Sequence, residues 1–175
     1  MTTFDSLISE SSFSSYIRNM DITVHSYMNR TFDEYQKKLL RGEHYHFIFN
    51  GPSGIGKYSQ VLSFLSILSP SNLEYEKKII IHKQKNQDII LKVSDIHIEI
   101  DFSTLGCNAK QLWNEIYSHI QDLTQYKTKT IRYVVCKNLH KIHPELLDVI
   151  YYYIQNQTHY LIKFIIITEC ISFLP

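Results

Sequence analysis

The chain has 175 residues, a formal net charge of +1, 44% hydrophobic residues and 13% aromatic residues. This length and apolar fraction predict one globular domain that buries about 70% of the surface of its unfolded chain. The small net charge excludes a global basic field for nucleic acid, so any DNA contact would be local or made by partner subunits. We expect no membrane association, because the longest apolar runs, such as 164–167, are too short to cross a bilayer.

The predicted elements alternate between helices and short strands rich in Ile and Val. Residues 1–42 are predicted to be an N-terminal helical segment, in which residues 1–20 are weakly amphipathic and a helix covers 22–41 and ends at Gly42. The later strands are predicted at 44–49, 78–82, 88–93, 96–102, 131–136 and 161–168, and the later helices after residue 57, at 109–124 and at 144–155. This order predicts an α/β, three-layer domain with a mainly parallel central sheet over residues 43–175.

A glycine-rich loop lies between the first predicted strand and the helix that follows it. The segment HYHFIFNGPSGIGKYS, residues 44–59, contains the G-x-x-x-x-G-K core of a P-loop in the strand–loop–helix setting that the motif needs. Backbone N–H groups and the helix N-terminus of such a loop bind phosphate, and its lysine reaches the β- and γ-phosphates. We predict ATP or ADP as the ligand. The predicted binding residues are Gly51, Pro52, Ser53, Gly54, Ile55, Gly56, Lys57, Tyr58 and Ser59.

The residue after the P-loop lysine argues against hydrolysis. A Ser or Thr at this position normally ligates Mg²⁺ through its hydroxyl, but this chain has Tyr58. A phenol on a rigid ring does not fit that short-range position, and Ser59 comes one residue too late. The sequence therefore predicts nucleotide binding and leaves both Mg²⁺ and hydrolysis uncertain, and we assign no catalytic and no metal-ligating residue.

A P-loop ATPase of this kind carries a second strand that ends in Asp-Glu. The Asp holds Mg²⁺ through water, and the Glu polarises the attacking water. The matching segment is IRYVVCKNLH, residues 131–140, in which Lys137 and Asn138 stand at those two positions. A third strand should end in a polar sensor residue, for which the chain offers Thr168 or Glu169.

The loop GPSGIGKYS and the order of these elements resemble the small subunits of replication factor C, the AAA+ subunits of the sliding-clamp loader. The loop resembles that of the degenerate-site subunit type, and it is also similar to the divergent versions of this subunit in large DNA viruses. The resemblance covers about residues 40–175 and implies a P-loop NTPase domain of the AAA+ type. It also implies other AAA+ clamp-loader subunits, a sliding clamp and primer–template DNA as partners, in the nucleus or a cytoplasmic viral factory.

These 175 residues contain no match to several other parts of such subunits. The missing parts are the opening segment that wraps the adenine, the Ser-Arg-Cys segment with its arginine finger, the lid domain and the collar. Two alternatives stay open. The first is an active NTPase of another P-loop class, in which Glu99 or Asp101 supplies the carboxylate. The second is an interaction module whose P-loop is vestigial.

The chain also carries two clusters of polar residues and three cysteines. Alternate positions of the strand at 96–102 share one face, which we interpret as solvated; its residues are Asp95, His97, Glu99 and Asp101. The segment 137–143 is either an ordinary polar loop or a surface for DNA or a partner; its basic residues are Lys137, His140, Lys141 and His143. We expect buried free thiols in a reducing, intracellular compartment; the cysteines are Cys107, Cys136 and Cys170.

Overall fold

The computed structural model of the protein describes residues 12–19, 27–81, 88–106, 109–125, 132–155 and 162–172. These ranges contain α-helices and β-strands that alternate along most of the chain. They are α1 (Phe13–Arg18), α2 (Met28–Leu40), β1 (Phe47–Asn50), α3 (Lys57–Leu68), β2 (Lys77–Ile81), β3 (Ile89–Val93), β4 (His97–Asp101), α4 (Ala109–Gln125), β5 (Arg132–Lys137), α5 (Pro144–Gln155) and β6 (Ile162–Thr168). Short 3₁₀ helices follow β4 and β5.

The strands form one sheet in the order β1-β6-β5-β4-β3-β2. The first four strands in this order are parallel to one another, and β3 is antiparallel to both β4 and β2. The predicted α/β fold with a mainly parallel sheet is therefore confirmed. Because their directions agree, β1, β6, β5 and β4 end at one edge of the sheet, and the loops that follow them lie side by side.

Helices cover both faces of this sheet. Tyr133 and Val135 of β5 pack into a core cluster with residues of α1, α2 and α3. Val134 and Cys136 of the same strand pack into a second cluster with residues of α4 and α5. Burial on both faces explains why the parallel strands have nearly continuous apolar sequences. The helices of the N-terminal segment thus share a core with the sheet.

The start of β1 differs from the prediction. We predicted a strand from His44, but β1 begins at Phe47. The Nδ1 atom of His46 accepts a hydrogen bond of 3.0 Å from the backbone N–H of Phe164 in β6. The His46 side chain therefore occupies the Phe164 N–H, which a longer β1 would need for a backbone hydrogen bond to β6. By contrast, Gly42 follows α2 at φ +83° and bonds to the carbonyl of Leu39, as predicted for a helix-ending glycine.

The predicted solvated face of β4 is wrong. His97 is 0% exposed and Glu99 is 3% exposed. In the parallel register these residues lie opposite Tyr133 and Val135, on the face that α1 and α3 cover. The ring of Phe13 in α1 lies 4.8 Å from the ring of His97, which excludes water from the strand.

The thiols follow the prediction in part. Cys136 is buried and unpaired, and burial raises the pKa of its thiol. Cys170, by contrast, is exposed because it lies beyond the end of β6 at Thr168. Cys107 and the first part of the predicted helix at 22–41 lie outside the described residues. Among the described helices, none has both the length and the apolar character that a membrane span requires.

Candidate nucleotide-binding site

The P-loop lies at the edge of the sheet where the parallel strands end. It connects β1 to α3, whose first residue is Lys57. Gly54 and Gly56 have φ values of +79° and +84°, in the left-handed region that glycine adopts without strain. These turns bring the loop back to the N-terminus of α3. The free N–H groups and the dipole at a helix N-terminus attract phosphate.

Lys57 folds back along this loop. Its Nζ atom donates hydrogen bonds of 2.6 Å to the carbonyl of Gly51 and 2.7 Å to the carbonyl of Pro52. The ammonium is thus held over the loop. Phosphate oxygens are anionic and therefore stronger acceptors for an ammonium than these carbonyls. A phosphate bound at the loop would compete well for this lysine.

A cavity of about 330 Å³ adjoins the loop. The P-loop and α3 form one wall, and the ends of β5 and β6 form the other. Its lining residues are Tyr16, Ser53, Gly54, Gly56, Lys57, Tyr58, Ser59, Lys137, Asn138, His140, Ile167, Thr168 and Glu169. Six of the predicted binding residues therefore line one cavity. Gly51 and Pro52 hold Lys57, and Ile55 lines a smaller cavity of about 80 Å³ beside Tyr27 and Met28.

The segments that follow β5 and β6 meet at the second wall. Thr168, one of the two predicted sensor residues, is buried; its hydroxyl donates to the carbonyl of Cys170, and its own carbonyl accepts from Gly51. Glu169, the other predicted sensor, lies beside His140, with 3.9 Å between the Glu169 Oε2 and His140 Nε2 atoms. Both sensor positions therefore line the predicted site, and Glu169 adds a carboxylate.

Tyr58 and Lys137, which line the cavity, form a cluster with the buried Glu99. The Tyr58 hydroxyl donates a hydrogen bond of 3.0 Å to Glu99 Oε2. The Lys137 Nζ atom lies 4.0 Å from the same oxygen and 4.2 Å from the centre of the Tyr58 ring. Burial, and then the charge of Glu99, raise the pKa of Tyr58, so its hydroxyl stays protonated and donates. One buried carboxylate therefore holds both residues that replace the expected Mg²⁺ ligands.

The other oxygen of Glu99 faces His97. The Glu99 Oε1 and His97 Nε2 atoms are 3.4 Å apart, within ion-pair range, but their geometry is not that of a hydrogen bond. Neither atom has another hydrogen-bond partner within the described part of the chain. On its opposite side the His97 ring contacts the Ser94 hydroxyl through Nδ1. The cluster thus extends from the cavity to the turn before β4.

Asp101 lies outside the P-loop cavity and is held by hydrogen bonds from its own neighbours. Its carboxylate accepts hydrogen bonds of 3.0 Å from the Asn138 amide and 2.9 Å from the Ser103 N–H. Burial alone would raise the pKa of Asp101, but the hydrogen bonds from Ser103 and Asn138 outweigh burial and lower it. Asp101 lines a neighbouring cavity of about 200 Å³, which also contacts Glu99 and Lys137. Neither carboxylate proposed for an active NTPase is therefore among the residues that line the P-loop cavity.

Sequence reasoning missed some of the lining residues and grouped others wrongly. Tyr16 of α1 lies against the P-loop helix, with 3.0 Å between its hydroxyl oxygen and Ser59 Oγ. No motif spacing connects α1 to the P-loop, so only the tertiary structure reveals this contact. The basic segment after β5 divides in two. Lys137 and His140 line the cavity, whereas Lys141 and His143 are exposed.

No protein-family model matches the chain, and no curated protein is significantly similar to it. No group of three or more His, Cys, Asp or Glu side chains in the described ranges could hold a metal ion. The geometry of the P-loop and the residues around its cavity are therefore the features that bear on function.

Proposed function

We propose that the protein is a nucleotide-binding, clamp-loader-like AAA+ subunit that acts in DNA replication, with little or no ATP hydrolysis of its own. The observation that carries this proposal is the P-loop: two left-handed glycines and Lys57 at a helix N-terminus, beside a cavity of about 330 Å³. This volume falls within the range of small-molecule sites. The phosphates would bind to the loop and to Lys57.

The proposed lack of hydrolysis is supported by the residues at the positions that normally ligate Mg²⁺ and activate water. Tyr58 replaces the hydroxyl ligand of Mg²⁺, and Lys137 and Asn138 replace the two acidic residues of the second strand. Glu169 is the carboxylate that lines the cavity among the described residues, and His140 lies beside it. This observation keeps an active NTPase as the second candidate function.

Nucleotide binding is tested by thermal unfolding and by titration calorimetry with ATP and ADP. Ligand at about 100 times its dissociation constant should raise the free energy of unfolding by about 2.7 kcal/mol. Lys57→Ala should remove most of this increase, because it deletes the ammonium that contacts the phosphates. Lys141→Ala is the matched control, since it removes an exposed positive charge beyond β5. A folded protein whose unfolding does not respond to millimolar nucleotide would leave a vestigial P-loop as the better interpretation.

Hydrolysis is tested with the same purified protein. We expect phosphate release no faster than that of Lys57→Ala. Sustained Mg²⁺-dependent turnover that Lys57→Ala abolishes would instead establish an active NTPase. Asp101→Asn and Glu169→Gln would then show which carboxylate activates the water.

The proposed partners are sister AAA+ subunits, a sliding clamp and primer–template DNA, in the nucleus or in a cytoplasmic viral factory. Since AAA+ sites commonly lie between subunits, we expect the isolated chain to be a monomer with weak, strongly salt-dependent DNA binding. Light scattering after size exclusion, with DNA binding measured over a series of salt concentrations, checks this expectation. A stable homo-oligomer that hydrolyses ATP on DNA would contradict it.

A further inference from the structure

We propose that the site binds its nucleoside di- or triphosphate without Mg²⁺, and that the Lys137 ammonium serves as the second cation that faces the phosphates. The inference rests on the proposed nucleotide binding and specifies the form of the ligand. It follows from three observations: the hydroxyls next to Lys57, the nearby carboxylates and the position of Lys137.

The hydroxyls after Lys57 do not suit a magnesium ion. Mg²⁺ needs oxygen ligands in near-octahedral geometry at about 2.0–2.1 Å, and a P-loop supplies one from its Ser or Thr. The Tyr58 hydroxyl lies at the far end of its ring, where it donates to Glu99. The Ser59 hydroxyl lies 3.0 Å from the hydroxyl of Tyr16. Each of the two hydroxyls therefore already has a protein partner.

Of the carboxylates near the loop, Glu169 lines the cavity, with its Oε2 atom 3.9 Å from His140 Nε2. The two carboxylates of β4 do not suit the ion either. Glu99 binds Tyr58 and lies 4.0 Å from Lys137 through one oxygen, and it faces His97 through the other. Asp101 accepts hydrogen bonds from Asn138 and Ser103. Both anions are thus committed to protein donors. A divalent cation in this place would also be repelled by the Lys137 ammonium.

Lys137 lies where its ammonium can supply part of the positive charge that a metal ion would bring to the phosphates. It lies at the end of β5, and both Lys137 and Lys57 line the cavity. Its side chain is 28% exposed, whereas its partner Glu99 is 3% exposed, so the ion pair has a buried anionic end and an accessible cationic end. The Tyr58 ring supports the ammonium from a second direction through a cation–π contact of 4.2 Å. The position of the lysine is therefore fixed at two points.

The charge of Glu99 does not prevent this role. An ammonium has three donors, so Lys137 can contact Glu99 and a phosphate oxygen together. Tyr58 contacts both members of this ion pair. Its hydroxyl stabilises the Glu99 carboxylate by hydrogen bonding, and its ring supports Lys137. The substitution of Ser or Thr by Tyr and of Asp by Lys would be one coupled change from metal-dependent to metal-free binding.

The test is the affinity for ADP and ATP, measured by calorimetry in millimolar EDTA and in millimolar MgCl₂. We expect the unmodified protein to bind as tightly in EDTA as in MgCl₂, or more tightly. Lys137→Met should weaken binding in EDTA by about tenfold, the loss of one charge-assisted contact. Lys137→Arg should retain most of the metal-free affinity, and Lys141→Met should change little.

The double variant Tyr58→Ser with Lys137→Asp provides the reverse test. It restores a short hydroxyl and a carboxylate, so its affinity should become higher in MgCl₂ than in EDTA. Binding by the unmodified protein only in MgCl₂ would overturn the inference alone, and this measurement needs no folded variant. Unchanged metal-free affinity in a folded Lys137→Met protein would also overturn it. Failure to bind nucleotide in either buffer would overturn the proposed function as well.

Discussion

The two faces of β4 and β5 differ in chemistry, although they belong to the same strands. Under α4 and α5, the strands present Ile98 and Ile100 to a cluster made of apolar residues. Under α1 and α3, they present His97, Glu99 and Lys137. The first face packs like an ordinary core. The second places a buried carboxylate, a buried imidazole and a partly exposed ammonium next to the P-loop.

The difference has an energetic consequence. A buried polar atom without a hydrogen bond costs about 1–3 kcal/mol. On the P-loop face, His97 Nε2 and Glu99 Oε1 are two such atoms among the described residues. Of the other two such atoms in the described residues, the indole Nε1 of Trp113 lies on the apolar face and the Nδ1 atom of His44 lies before the start of β1. We therefore expect the apolar face to contribute more to the free energy of unfolding than the P-loop face. The P-loop face instead holds the Lys137 ammonium at the cavity.

The largest test of this comparison is Trp113→Ala. Trp113 is 0% exposed and packs against Phe102 and Tyr117, with ring centroids 5.4 Å and 6.0 Å away. Truncation should lower the free energy of unfolding by about 3–5 kcal/mol, measured in urea. Nucleotide affinity per folded molecule should not change, because the residue lies on the other side of the sheet. A matching loss of affinity would mean that the two faces are coupled.

Trp113→Phe is the control. It keeps most of the buried ring and removes the unpartnered indole N–H, so it should cost much less than the alanine variant. Comparison of the two separates the effect of packing from the effect of the polar atom.

The second test is Glu99→Ala on the P-loop face. It leaves the Tyr58 hydroxyl and the Lys137 ammonium without their shared anion, and we expect a loss of about 2–3 kcal/mol in the free energy of unfolding. Glu99→Gln keeps an acceptor for Tyr58 and should cost less. Urea unfolding of both variants measures the difference. Equal stability of Glu99→Ala and the unmodified protein would show that this face does not depend on the cluster.

Much of the first face was predictable from sequence. The strand at 162–168 contains an unbroken run of Phe and Ile at 164–167, and the helix at 144–155 begins with a proline, so apolar runs and start signals identified these elements within a few residues. The P-loop was also predictable, because its glycines and lysine are fixed in local sequence. Both depend on neighbours along the chain, which a sequence displays directly.

The second face was not predictable in the same way. Alternation along β4 correctly separates His97 and Glu99 from Ile98, but it does not say which helices cover each side. The cover comes from Phe13 and Tyr58, which are distant in sequence. Charged residues in a strand normally indicate solvent, so local reasoning placed Glu99 in water. Only the register with β5 and the position of α1 reveal its burial.

The smallest test concerns His46, a titratable side chain at the border of the apolar face. Its ring stacks on Phe164, a member of that cluster, at a centroid distance of 5.8 Å. Burial, and then the charge of Lys163, lower the pKa of His46 from 6.5 to about 4. A protonated ring would also lose the acceptor at Nδ1 that binds the Phe164 N–H. The folded protein therefore favours the neutral ring.

The sign of the pH effect follows from this lowered pKa. Between about pH 6.5 and 4 the unfolded chain binds a proton at His46 that the folded chain does not, so stability falls as the pH decreases through this window. We expect His46 to contribute on the order of 2 kcal/mol to the fall, less than the full shift because the ring is partly exposed. His46→Asn keeps an acceptor without a titratable group, so its urea midpoint should fall less between pH 7 and pH 4.5. Equal slopes for the two proteins would show that the acid sensitivity of the fold does not depend on His46.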